Sequence, residues 1–339
     1  MTRENHARRR SLLALAALAL LSCASASAQP GDSSQSMRKL MDHRMEMSHR
    51  AVEETQRRRF EEGKSDTSFP SDANKAAARA GVVRAVSPEE RKALAHNERG
   101  LDLFSKGKVE QAVKEYNEAV RVYPSLAAAH NNLGSAHFAA ARFEEAAASF
   151  RRAVELEPNY GQAHFNLALT HLKLGREREA DAALRAALRA YYTAGDEHFK
   201  AGRLKEAEES YRGMLQIDPE YVPALLRLGL VCNDARRFEE AVQFIRRAAA
   251  RQPDNPYAYE ELAEALHGLN KYEEAAAAAE RALKLAPDAP AAHYFAGRAR
   301  AALGQRDAAL AHLAKLKGLR SDAYAELLSD FINKKAPPR

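Results

Sequence analysis

The chain of 339 residues contains no tryptophan, only two cysteines, and only 16 glycines and 13 prolines. Cys23 lies in a segment expected to be removed or lipidated, so Cys232 is the one thiol left to a mature body. A disulfide framework is thereby excluded, and stability must come from packing. So few backbone breakers exclude collagen-like and low-complexity chains. The longest apolar run, Leu12 to Leu21, is about half the roughly 20 residues that cross a bilayer. With a mean hydropathy of −0.52, a polytopic membrane protein is excluded. Charge of one sign is also missing. There are 52 basic and 46 acidic side chains, with Arg3, Arg8, Arg9 and Arg10 supplying much of the excess. A near-neutral body without a basic stripe argues against a nucleic-acid partner. Catalytic signatures are lacking too: no HExxH, no cysteine pair at ligand spacing, no phosphate-cradling glycine loop and no GxSxG. Neither an enzyme nor a cofactor is expected.

The N-terminus reads as an address. A positive start, the apolar run and Ala26-Ser27-Ala28 suit a signal peptide over residues 1–28, cleaved before Gln29. Leu20-Leu21-Ser22-Cys23 offers a competing reading, a lipoprotein box ending the signal at residue 22 with Cys23 acylated. Firm anchoring would then need more than one chain. Arg9-Arg10-Ser11-Leu12-Leu13 resembles the core of a twin-arginine signal. Each reading predicts export through a bacterial inner membrane, to the periplasm or the outer membrane, with membrane attachment only through such an anchor.

A charged connector occupies residues 29–86. Met37, Met41, Met45, Ser48 and Val52 recur at helical spacing, so an amphipathic helix is expected within residues 36–62, followed by a linker. Met41, His43, Met45, Met47 and His49 are soft ligands suited to Cu(I). They suggest a periplasmic copper-handling alternative, beside the simpler reading of a docking stripe.

A fixed period organises the rest. Pro124 and Pro158 are 34 residues apart, as are Pro219, Pro253 and Pro287. With each proline at position 32 of its unit, position eight is Gly100, Gly134, Ala168, Gly195, Gly229, Ala263 and Gly297. Position 20 is alanine throughout, from Ala112 and Ala146 to Ala309. Position 24 is apolar or aromatic, as in Tyr116, Phe150, Tyr211 and Ile245. Self-similarity at this length marks a repeat array. With motifs such as NNLGSAHFAAARFEEAAASFRRAVELEPN (residues 131–159), the chain resembles the tetratricopeptide repeat family. The resemblance implies an all-α, right-handed solenoid of seven helical hairpins over residues 87–333. Units start near 93, 127, 161, 188, 222, 256 and 290. Small residues lie where paired helices cross, and neighbouring hairpins complete each other's core.

The ends and one junction stand out. Ser87-Pro88-Glu89-Glu90 reads as a helix start. Tyr324, Leu327, Leu328 and Phe331 predict a capping helix over 321–333, with residues 334–339 as a fraying tail. From Pro158 to Pro219 is 61 residues, seven short of two repeats, and residues 176–192 hold no Gly or Pro. The second helix of unit three is expected to run on into unit four as a stiff strut, dividing the array into blocks of three and four. A new helix starting at Thr193 is the alternative.

In this family the first helix of each unit usually lines the binding face. The resemblance therefore implies a protein- or peptide-binding groove at Asn97, Leu101, Phe104, Asn131, Asn132, Ser135, Phe138, Asn166 and Phe199. Phe104 and Phe138 have an alternative role inside their own repeats. The basic clamp that some members close on a terminal carboxylate is missing, because Asn97 and Gln162 occupy its lysine positions. His130, His137, His164 and His171 recur seven and 34 apart. They fall where the family places packing residues, with a metal or pH-sensing cluster as the alternative. Glutamate pairs such as Glu144-Glu145 and Glu239-Glu240 suit helix N-termini. An interaction scaffold of the cell envelope is the expected function.

Overall fold

A computed structural model describes residues 86–334. The N-terminal address, the connector with its expected 36–62 helix, and the tail beyond 334 lie outside the described residues. Among the described residues there are fourteen α-helices and no strand. They belong to two compact units that divide between Tyr123 and Pro124.

The first unit is one hairpin, α1 (Pro88–Ser105) and α2 (Val109–Val122). Ser87 opens α1 as read from the sequence: its Oγ accepts the Glu90 N–H at 3.0 Å, and Pro88 is the first helical residue. Tyr116 on α2 is buried against Gly100 on α1.

The second unit begins with hairpin α3 (Ala127–Ala139) and α4 (Phe143–Leu156), then α5 (Gly161–Lys173) and the long α6 (Glu177–Lys200). It continues with α7 (Leu204–Ile217), the pair α8 (Val222–Asp234) and α9 (Phe238–Arg251), and the pair α10 (Pro256–Gly268) and α11 (Tyr272–Leu285). It ends with α12 (Pro290–Ala302), α13 (Arg306–Gly318) and the cap α14 (Asp322–Lys334). Within this unit each first helix packs on its own second helix, and each hairpin on the next.

Size matching holds the pairs together. All seven alanines at position 20 are buried. A methyl group on Gly134 would sit 2.7 Å from the Phe150 ring, and on Gly195 2.5 Å from Tyr211. Glycine therefore stands where position 24 is large. Where position 24 is smaller, at Leu184 and Ala279, position eight is Ala168 and Ala263. In the last repeat the notch at Gly297 receives Leu328 of the cap, whose Cδ2 would meet an added methyl at 2.5 Å. The cap's buried seam is Ala325, Leu328 and Ile332. Of the residues expected to cover the array, Leu327 and Tyr324 face outward instead, at 55% and 36% exposure. The helix turns its seam about one residue away from the stripe read from sequence.

The hairpin turns carry a feature the sequence period did not reveal. Position 15 has positive φ in all seven repeats: Gly107, Ala141, Gly175, Gly202, Arg236, Asn270 and Gly304. That left-handed residue lets the next N–H reach the carbonyl five residues back, as in Arg142 to His137 at 2.9 Å. The geometry is uniform although the residue is not, so no residue type signals it.

The short junction is one continuous helix. α6 runs 24 residues through Tyr191–Ala194 without a turn. Tyr191 serves two partners at once, its ring lying against Gly161 of α5 and Gly213 of α7. The strut does not divide the array into blocks of three and four. A buried cluster joining Ala187 and Tyr191 to Tyr211, Leu228 and Val231 carries the core across the junction.

The size-matching account predicts that Gly134→Ala destabilises the fold by about 1–3 kcal/mol, through overpacking against Phe150. Adding Phe150→Leu, which reproduces the Ala168/Leu184 pairing of the third repeat, should restore part of the loss. Urea unfolding of the two single variants and the double variant measures that coupling.

Candidate functional site

First helices of successive repeats touch one another in the second unit, so their side chains form a shared face. Asn131 of α3 and Asn166 of α5 meet there, Asn166 Nδ2 donating to Asn131 Oδ1 at 3.0 Å. Asn131 Nδ2 in turn donates to Asn132 Oδ1 at 3.4 Å, and Gln162 Nε2 to Asn166 Oδ1 at 2.9 Å. The Tyr191 hydroxyl completes the chain by donating to Gln162 Oε1 at 2.9 Å. This amide ladder joins three helices. Three expected groove residues belong to it. Gln162, which displaces a clamp lysine, and Tyr191 were not anticipated as members.

The other expected residues are placed differently. Ser135 turns its hydroxyl back to the Asn131 carbonyl of its own helix. Phe138 is buried, 9% exposed, and packs edge-to-face on Phe143 across its own hairpin turn at 5.2 Å. It is therefore framework, not groove. Phe199 is half-buried against the cluster around Tyr211. Asn97, Leu101 and Phe104 lie on α1 in the first unit, with Asn97 buried and the other two half-buried.

Further along the shared face stands a second polar group. The Tyr211 hydroxyl donates to Asp196 Oδ1 at 2.6 Å, and Arg227 donates to Asp196 Oδ2 at 3.3 Å and to the Tyr192 hydroxyl at 2.6 Å. Arg227 also lies over the Tyr192 ring at 5.3 Å. On α10 the face turns acidic, with Glu260, Glu261 and Glu264. Burial pushes all three carboxyls up, Glu261 to about 7 with help from Glu264. These residues occupy positions five, six and nine of later repeats, the same positions that gave Asn131, Asn166 and Ser135. The periodic frame contained that signal.

Of the four periodic histidines, His130 and His164 hold turns, while His171 is buried in its helix. His130 Nε2 lies 3.0 Å from the Pro124 carbonyl and His164 Nε2 2.9 Å from that of Pro158. In each contact a protonated Nε2 must be the donor. His293 makes the same contact with Pro287 at 3.0 Å. No group of three potential metal ligands occurs among the described residues. Cys23 and the copper candidates Met41, His43, Met45, Met47 and His49 lie outside those residues. The glutamate pairs do sit in first turns of second helices, Glu144 and Glu145 on α4 and Glu239 and Glu240 on α9. No described helix is long and apolar enough to cross a membrane.

Two sequence profiles, each described as tetratricopeptide repeat, match the chain, one over residues 97–160 and 260–325, the other over 137–194 and 198–266. The chain belongs to the tetratricopeptide repeat family. Tetratricopeptide repeat proteins generally act as protein–protein interaction scaffolds. No curated protein matches the chain. Among solved structures, the Cut9-Hcn1 heterotetramer of the APC/C is similar at 18% identity and TM-score 0.40, covering 78% of this chain. The present chain spans about half, 51%, of that relative. Pseudomonas aeruginosa pilF is similar at 21% identity and TM-score 0.37, covering 60% of this chain and 97% of its own. A tetratricopeptide repeat protein from Parabacteroides merdae ATCC 43184 shows 18% identity and TM-score 0.37 over 72% and 99%. Likenesses this distant identify no partner.

The raised carboxyl of Glu261 has a consequence for stability. Its proton is held more tightly in the folded chain than in the unfolded one, so stability is lost as pH rises from 4.5 to about 7. A shift of this size corresponds to about 3 kcal/mol at most. Glu261→Gln should raise the melting temperature at pH 8, leave it nearly unchanged at pH 4.5, and flatten the pH dependence measured by calorimetry.

Proposed function

We propose that the protein is an exported scaffold of a bacterial envelope that holds an extended segment of a partner protein along the first-helix face of its repeats. The amide ladder carries this reading. Asn131, Asn166 and Gln162 each spend one donor and one acceptor on a neighbour, of the four bonds such an amide can form. The internal bonds fix the amide orientations in advance. Capacity remains at half-buried Asn166 and Gln162 for a partner's backbone N–H and C=O groups. Preorganisation of that kind lowers the ordering cost of binding. Export rests on the N-terminal sequence alone, through Ala26-Ser27-Ala28 or Cys23.

Two experiments bear on the proposal. Affinity capture from an envelope fraction should retain a specific partner, and the Asn131→Ala/Asn132→Ala/Asn166→Ala variant should lose it while keeping the wild-type circular dichroism. Equal capture by the folded variant would remove the ladder from the binding face. Intact mass of the mature protein should show a chain beginning at Gln29 or a lipid-modified Cys23. An intact N-terminus recovered from the cytoplasmic fraction would contradict export.

A further inference from the structure

The acidic stretch of the shared face gathers carboxyls that are desolvated by burial and lack the cross-repeat ion pairs found at several other sites. Several carboxylates are neutralised across repeats: Glu144 by Arg176 at 2.7 Å, Glu274 by Arg246 at 2.9 Å, and Glu220 by Arg247 at 2.9 Å and Arg251 at 3.2 Å. Glu260, Glu261 and Glu264 of α10 and Asp234 at the end of α8 make no ion pair among the described residues. Burial pushes all four carboxyls up. Arg298 of α12 is near enough to Glu264 to lower its carboxyl. It is held at 5.3 Å over the Tyr294 ring and at 5.5 Å over Phe331, with one nitrogen 3.2 Å from His267 Nδ1.

A second observation at the same place concerns Asn233. The residue is 5% exposed, and its Nδ2 donates to the Glu261 carbonyl at 3.1 Å and to Glu261 Oε2 at 3.2 Å. That contact directs the side chain into the acidic group. Its Oδ1 is buried and accepts no hydrogen bond. A buried acceptor without a donor is costly, and here it stands beside carboxylates that make no ion pair. Aromatic rings flank the group: Tyr257 on α10, and the Tyr294–Tyr324 pair at 5.4 Å. Carboxylates, an open amide acceptor and aromatic faces together form the chemistry that receives a guanidinium or ammonium group.

Resting on the scaffold reading above, we propose that the face formed by α8, α10 and α12 is the specificity site of the array and takes a basic segment of the partner protein. An arginine or lysine side chain enters among Glu260, Glu264 and Asp234, and its N–H reaches Asn233 Oδ1. The amide ladder on α3 and α5 holds backbone without regard to sequence, whereas the acidic face selects charge. Tyr324 of the cap lies close enough to Glu260, Glu261 and Glu264 to feel their charge, and its ring offers apolar contact beside them.

The test is selection of displayed random dodecapeptides on the full-length protein. Sequences enriched in Arg and Lys are expected. A fluorescein-labelled winner should bind at least about tenfold more weakly to Glu260→Gln/Glu264→Gln, an isosteric change that keeps the fold. Replacing its arginines by citrulline should cause a similar loss. Selected peptides without basic enrichment, or basic peptides that bind the folded variant equally well, would overturn the proposal and leave the scaffold reading standing. If basic peptides are selected only after Arg57, Arg58 and Arg59 are changed to Ala, the occupant is the chain's own connector and the partner assignment falls. If no peptide of any composition is selected and no envelope partner is captured, the scaffold reading falls with it.

Discussion

The close approach of two helix backbones at a glycine or alanine, sealed by one large side chain from the opposite helix, is the constraint on which the structure depends. Gly134 under Phe150 and Gly195 under Tyr211 are its clearest instances. Such a ring buries enough apolar surface to contribute about 2–3 kcal/mol, but only if the facing position has no side chain to displace it. The contact fixes the crossing of each pair. The crossing then determines which residues of the first helices reach the shared face. The same rule terminates the array, where the Gly297 notch is filled by Leu328 from the cap, so the end of the solenoid is closed by the interaction that builds its interior.

The long helix shows the constraint prevailing over connectivity. Seven residues are missing between the third and fourth repeats, and the chain keeps both crossings by giving up the turn between them. Tyr191 makes this workable. Its ring contacts Gly161 behind and Gly213 ahead, and its hydroxyl anchors Gln162 at one end of the amide ladder. One side chain thus links the packing of the junction to the polar surface that the function requires.

Much of this was legible in the sequence because it is periodic. Alanine at all seven position-20 sites, the cap at Ser87 and the final helix can be read from residue type and spacing, whereas the short junction left both a fused helix and a new start at Thr193 open until the structure showed one helix. The turn residue at position 15 was not legible, because Ala141, Arg236 and Asn270 adopt the left-handed conformation that glycine adopts elsewhere. Burial at the cap was misassigned, since Leu327 and Leu328 are adjacent in sequence and only the helix rotation decides which one faces Gly297. For Phe138 the family resemblance offers both a groove role and a packing role, and the Phe143 ring at 5.2 Å holds it within its hairpin. On the shared face, Asn131 and Asn166 could be found by position. Their bonding to each other, and the lack of ion pairs at Glu260 and Glu264, are matters of three-dimensional distance that no single repeat encodes.

The central claim is that one unbroken spine of matched small and large residues runs through the second unit, including the place where a turn has been lost. Residue-resolved amide hydrogen exchange across α6 tests it most directly. Protection at Tyr192, Thr193 and Ala194 equal to that at Ala183 and Ala187 is the predicted result. Exchange at those three amides as fast as at the exposed turn around Gly202 would contradict the account.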